Sequence, residues 1–205
     1  MLIFLDSHGR TYNTPGHSLP SARGQGEPLS GRFKPKEGAR FIGVLIGNGE
    51  QKALMASNAG FGFVGRLEDM VTKNKAGKAC LSVPNDGVAL PPVLLSEELL
   101  AAEVCYVAAV TDQGRLLVFP LAELPELARG KGNRLINVPT AAFKAGEEEM
   151  VGVVALGEKD ELLVHAGQRH LRMKPKDLES YIGERARRGR KLPRGFQKAD
   201  RLTVE

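Results

Sequence analysis

The apolar positions fall in short strand-like runs separated by turns that carry Gly, Asn or Pro. The clearest run is Tyr106–Phe119, followed by LAELPELARGKGNRLINVP over Leu121–Pro139. That stretch carries a Gly-rich basic turn, Ala128-Arg129-Gly130-Lys131-Gly132, then an apolar run, Leu135–Val138, closed by Pro139. The same order recurs in segments opening at Ile3, Leu54, Ala108 and Leu163. Each has an apolar strand, a tight turn at Gly9, Gly60, Gly114 or Gly167, and a second strand. An apolar anchor follows at Leu19, Met70, Leu124 or Leu178, then a glycine with basic neighbours at Gly24, Gly77, Gly130 or Gly183. The turn glycines lie 51, 54 and 53 residues apart, and the anchors follow them by 10, 10, 10 and 11 residues. A unit of about 50 residues is too small to bury its own core, so the pattern predicts stacked propeller-like blades in one all-β repeat domain. The expected repeats are 1–52, 53–107, 108–160 and 161–205.

Hairpins are predicted across Ser7-His8-Gly9, Asn58-Ala59-Gly60, the Gly114 turn and the Gly167 turn. Pro20–Ser30 reads as a Gly/Pro loop and Ser96–Glu103 as at most a short helix. Met150–Leu156 and Ala199–Val204 read as further strands. Met1–Asp6 begins directly as a strand, which reads as a start inside a larger protein.

Composition narrows the function classes. Aromatic residues make up 5% with no Trp, which disfavours a single-strand stacking platform. Net charge is +5, a weak pointer to a polyanion. Its distribution says more. Residues 161–205 hold twelve Lys/Arg against six Asp/Glu, whereas residues 85–128 hold only Arg115 against seven acids. Cys80 and Cys105 are too few for a disulfide framework and suit a reduced, cytoplasmic setting. No signal peptide is visible, and the longest apolar runs, such as Pro91–Leu95, are too short to span a bilayer.

Candidate chemistry divides the same way. Gly60-Phe61-Gly62-Phe63-Val64-Gly65 matches G-x-G-x-x-G, with Asp86 at 21 residues from Gly65. The repeat puts Gly62 and Gly65 inside a strand, which cannot aim a helix N-terminus at a pyrophosphate. No P-loop is present, because Ala79 follows Gly77-Lys78. Asp6-Ser7-His8 reads as a polar hairpin tip, His165 and His170 as a pair without a third ligand, and Glu147–Glu149 as a solvated loop. Tyr12, Tyr106 and Tyr181 read as strand packing. An enzyme with a cofactor at Gly60–Gly65 is therefore the weakest class. The Lys/Arg-Gly loops fare better, since glycine lets backbone N–H groups approach phosphate beside a cation. Arg23, Lys75 and Lys78, Arg129 and Lys131, and the Arg185–Arg194 run occupy matched places, so stacking aligns them on one rim. Such a rim follows a duplex by its backbone without reading bases.

SARGQGEPLSG, SNAGFGFVGRLEDMVTKNKAGKA, FPLAELPELARGKGNRLINVP and GERARRGRKLPRGFQKADRLTVE resemble the C-terminal domain family of ParC from bacterial DNA topoisomerase IV, related to that of gyrase A. The resemblance runs from Ile3 to Val204. It implies a β-pinwheel of about four four-stranded blades with strands exchanged between neighbours, its closure left open by the sequence. It also implies sequence-nonspecific duplex DNA binding and bending, which presents segments to a breakage-reunion core for relaxation and decatenation. The residues this points to are Arg23, Arg32, Lys73, Lys75, Lys78, Arg129, Lys131, Arg134, Arg185, Arg187, Arg188, Arg190, Lys191 and Arg194. Implied partners are double-stranded DNA, the rest of ParC and the ATPase subunit ParE. The implied setting is bacterial, cytoplasmic and nucleoid-associated. No catalytic residue, metal or cofactor is implied here, since ATP and Mg belong to other parts of the holoenzyme. The gyrase signature Q-R-R-G-G-K-G is absent, so full wrapping is not implied, and one blade fewer than the whole pinwheel is expected. The alternative reading is a protein-interaction propeller docking an acidic partner such as a chromosomal condensin.

Overall fold

The computed structural model describes all 205 residues and is built from four antiparallel sheets. The first orders β3 (Phe41–Ile46), β1 (Leu2–Asp6), β2 (Arg10–Thr14) and β6 (Lys78–Ala79). The second orders β7 (Val93–Leu95), β4 (Lys52–Ser57), β5 (Phe61–Arg66) and β10 (Asn133–Arg134). The third orders β11 (Met150–Gly157), β8 (Cys105–Thr111), β9 (Arg115–Pro120) and β14 (Arg190–Lys191). The fourth has three strands, β15 (Arg201–Val204), β12 (Leu162–Ala166) and β13 (Arg169–Met173). The last strand of each four-stranded sheet thus comes from far along the chain, which is the expected exchange. No hydrogen bond or ion pair joins the first sheet to the fourth, so the stack is an open arc.

Alternation along the strands explains why no sheet stands alone. In β4 and β5, Leu54, Ala56 and Val64 face a core shared with Val107, Ala109 and Leu117 of the third sheet. Ala53, Met55 and Phe63 face the opposite way, into a core shared with Ile3, Leu5 and Leu45 of the first. In the third sheet Ala108, Val110 and Val118 turn instead to Leu162 and Val164 of the fourth. A period of two with both faces apolar gives each middle sheet two neighbours. A fully buried Leu or Phe contributes about 1.5–3 kcal/mol, and each of these three clusters joins residues of two neighbouring sheets.

The turn glycines are required by geometry. Gly9, Gly60 and Gly114 sit at φ of +83°, +85° and +67°. A Cβ there would run into the backbone of Leu81, Ile136 and Gln197 respectively. The N–H of Cys80, Leu135 and Leu192 donates to the carbonyls of those three glycines at 3.1, 2.7 and 2.8 Å. Each hairpin is therefore both a turn and the docking point of the exchanged segment.

Two local expectations are corrected. Asp6 is not an exposed tip residue. It is fully buried, accepting from the Tyr12 hydroxyl at 2.7 Å and from the N–H groups of His8 and Arg10. Burial and that carboxylate push the Tyr12 phenol well above its usual range. Nor is Glu147–Glu149 a solvated loop throughout. Glu147 is exposed, but Glu148 is buried against Arg188 and Glu149 accepts from the Asn58 amide.

Candidate nucleic-acid interface

The exchanged strands set the position of the cations. Ala79 pairs with Arg10, Arg134 with Phe61 and Lys191 with Arg115, each the first residue after a turn. Gly77, Gly132 and Gly189 are therefore equivalent, at φ of +75°, +78° and +72°. This corrects the expected register of Gly77, Gly130 and Gly183. Gly130 lies two residues before the true equivalent, and Gly183, six residues before it, lacks the positive φ. With the register corrected, Lys78, Arg134, Arg190 and Lys191 occupy the same edge of three successive sheets.

The crossing segments also bond to one another in sequence. Gly130 N–H donates to the Cys80 carbonyl at 2.9 Å, and Ser82 N–H donates to the Gly130 carbonyl at 2.8 Å. One step on, Ala186 N–H donates to the Leu135 carbonyl and Asn137 N–H to the Arg187 carbonyl, both at 2.9 Å. The three cationic segments thus form one backbone-linked run. A hollow opens at each crossing. The first, about 570 Å³, includes Arg32, Lys73 and Lys75. The second, about 390 Å³, includes Lys131, Arg134 and Lys144, and the third, about 350 Å³, includes Arg187, Arg188 and Arg190.

The cations in this run are not alike. Lys73, Lys75, Arg129, Arg190 and Arg194 are exposed, with no side-chain hydrogen bond or ion pair. Arg23 is equally free but sits in the loop before Leu29–Arg32, outside the three crossing segments. Lys131 and Arg134 lie over the Phe61 ring, 3.8 and 4.9 Å from its centroid. Others hold the fold. Lys78 Nζ donates to the Asp69 carbonyl and Lys191 Nζ to the Gln113 carbonyl. Arg32 pairs with Glu27 at 2.8 Å and Arg187 with Glu184 at 2.7 Å. Arg185 donates to the Arg134 carbonyl at 2.7 Å. Arg188 makes two bonds of 2.7 Å to the Glu148 carboxylate. Burial pushes the Glu148 carboxyl up, but its bonds from Arg188 and Thr111 outweigh that and hold it below the usual carboxylate range. Lys144 and Arg10 escaped the sequence reading. Lys144 closes a helix, Thr140–Lys144, outside any Gly loop, and Arg10 donates to the carbonyls of Ala76 and Gly77 at 2.9 and 2.7 Å.

The other candidates carry no comparable arrangement. Gly62 and Gly65 lie inside β5, which is followed only by a four-residue 3-10 turn, Leu67–Met70. His165 bonds Thr203 at 2.8 Å and faces His170 across the β12–β13 pair, and no group of three or more His, Cys, Asp or Glu gathers as a metal site. Cys80 is buried beside Thr11, and burial pushes its thiol up. No helix is long and apolar enough to cross a membrane.

Comparison with known proteins turns on the same architecture. The solved structure of the Escherichia coli ParC C-terminal domain superposes with a TM-score of 0.87 at 40% identity, covering 100% of this chain and 80% of that one. The chain belongs to the ParC C-terminal domain family. The family described as DNA gyrase C-terminal domain, beta-propeller, matches residues 106–157, the span that carries most of the third sheet. The A-subunit of DNA topoisomerase 4 from Pseudomonas aeruginosa is 48% identical over 203 residues, and that from Escherichia coli K12 is 41% identical over 204. The chain spans 26% of the length of each of those two proteins, so the match to a ParC C-terminal domain concerns one part of them.

Proposed function

We propose that the domain binds duplex DNA without sequence preference, along the run of crossing segments, as the DNA-bending part of a topoisomerase IV ParC protein. The observation that carries this reading is the backbone-linked succession of cationic segments on one edge of three sheets. Unpaired Lys and Arg side chains along that edge supply charge for phosphate. Few aromatic faces are exposed there, so backbone contact rather than base stacking sets the mode. In the whole protein, the bent segment would be delivered to the breakage-reunion part of ParC, with ParE supplying ATP turnover. Relaxation and decatenation in the bacterial cytoplasm, at the nucleoid, is the activity this serves. Docking of a condensin on the same cations is the competing use, and competition by any duplex of adequate length separates the two.

The test is fluorescence anisotropy with random-sequence duplex across a salt series. Affinity falls steeply with salt, with a log–log slope of about −0.9 per phosphate neutralised. Replacing Lys75, Arg129 and Arg190 together by Glu removes three cations that hold nothing in the fold. The expected result is binding weakened by about two orders of magnitude or more at physiological salt, with the slope shallower by roughly 2–3. Unchanged affinity and slope in a variant that melts like the parent overturn the reading.

A further inference from the structure

Phe61 opens β5 at the position where Arg10 opens β2 and Arg115 opens β9. The two arginines reach into the incoming segment, Arg10 to the Gly77 carbonyl and Arg115 to the Gly189 carbonyl at 3.4 Å. Phe61 cannot donate, and the incoming segment instead lays Lys131 and Arg134 over its ring. Lys131 stands between Gly130 and Gly132 and has no hydrogen-bond or ion-pair partner of its own, so the ring is its sole restraint. Arg134 donates from Nη1 to Asn137 Oδ1 at 2.7 Å and to the Val138 carbonyl at 3.3 Å, while its Nε and Nη2 make no protein hydrogen bond.

A carboxylate partner fixes a cation and cancels its charge at once. An aromatic face attracts through its quadrupole and leaves the full charge in place, with the donors on the far side free. The neighbouring hollows follow the first pattern, through Glu27 on Arg32, Glu184 on Arg187 and Glu148 on Arg188. The middle hollow follows the second. It gathers Lys131, Arg134 and Lys144 around Asn85 and Thr140, with Asp86 as its one acid.

Resting on the DNA-binding reading, we infer that Phe61 is a positioning residue for that interface. It pre-orders Lys131 and Arg134 to hold one backbone phosphate in the hollow at the edge of the second sheet. Binding then freezes little that was free beforehand, which is the gain from preorganisation. The free fork of Arg134 suits two phosphate oxygens, and the Lys131 ammonium acts as a point charge beside them.

The experiment measures duplex affinity of the intact domain at two salt concentrations, with melting followed in parallel. Phe61→Leu keeps an apolar strand residue without a π face and weakens binding roughly fivefold. It leaves the salt slope near that of the parent, because no charge is lost. Phe61→Trp, a better cation–π face, binds at least as tightly as the parent. Lys131→Gln lowers the slope by about 0.9, and its cost shrinks in the Phe61→Leu background, since the two residues act together. Phe61→Met, also without a π face, gives the same weakening if Leu disturbs the strand. Parent-like affinity in Phe61→Leu or Phe61→Met, or strict additivity with Lys131→Gln, overturns the inference while the DNA-binding reading stands. Failure of the parent domain to bind duplex at any salt overturns both.

Discussion

The first and second crossings solve one backbone problem with opposite side-chain chemistry. At the first, Arg10 threads two hydrogen bonds into Ala76 and Gly77, so a cation is consumed in fastening the exchanged strand. At the second, Phe61 fastens by lying under two cations, and both keep their charge for a ligand. The third resembles the first but holds less firmly. Arg115 makes one bond of 3.4 Å and buries its Nε without a partner, and the Arg188–Glu148 pair adds a second tie. The lesson is that charge counted along the sequence overstates charge available on the surface. The third crossing carries more arginines than the middle one, but Arg187 and Arg188 are spent on carboxylates there, whereas neither Arg129 nor Arg134 has an acidic partner.

What the crossings share should be the costliest to break. Gly132→Ala forces a Cβ into the backbone of Gly62 at a φ of +78°, and Gly77→Ala drives one to 2.7 Å from the Tyr12 ring at +75°. Both should lower stability by about 3 kcal/mol or more. Gly26→Ala, at a similar φ of +76° but with nothing within 4 Å, should cost only about 1 kcal/mol. Urea titration of the three variants checks the ranking. Equal losses would mean that conformation alone, and not the docking of the exchanged strand, sets the cost.

The third crossing is sharpened by its buried ion pair. Glu148→Gln leaves Arg188 without its counter-charge, and should cost about 2 kcal/mol at neutral pH, less than for a fully buried pair because Arg188 is 37% exposed. The Glu148 carboxyl sits lower in the folded protein than in the unfolded chain. Its contribution is therefore complete above the ordinary carboxylate pKa, about 4.3, and is lost as pH falls through the lowered folded value. The parent should lose more stability than Glu148→Gln on acidification through that window, as followed by thermal melting. Parallel curves would remove the pair as a tie. The smallest effect belongs to Arg10→Met, about 1 kcal/mol by the same measurement, because two carbonyls lose donors while the backbone pairing of β2 with β6 remains.

The repeat was legible where backbone conformation restricts the residue. Gly9, Gly60 and Gly114 are glycines because φ is positive and the exchanged backbone lies where a Cβ would be. The exchanged strands were not legible as strands. β6, β10 and β14 have two residues each, too few to show alternation, and their partners lie more than fifty residues away in sequence. The basic glycines were found as a class but misplaced in register. ARGKGNR offers two glycines, and only pairing with Phe61 and Gly62 selects the second. Charge runs misled for a related reason. Glu148 sits between two other glutamates and reads as solvated, yet its fate is set by Arg188, 40 residues on. Likewise nothing local distinguishes Arg185 or Arg188, turned into the fold, from Arg190 and Arg194, which project from it.

Exchange also means that the units of sequence and the units of stability are out of phase. Cutting the chain between repeats, near residue 107, would strip β10 from the second sheet and uncover the Gly60 turn. No single cut leaves every sheet whole, because each borrowed strand comes after the hairpin of the next sheet. A cut just beyond Leu81, Val138 or Leu192 completes one sheet and parts β4–β5, β8–β9 or β12–β13 from the rest of theirs. Anyone grafting or shortening this arc therefore keeps a sheet complete only by carrying along the first hairpin of the sheet after it.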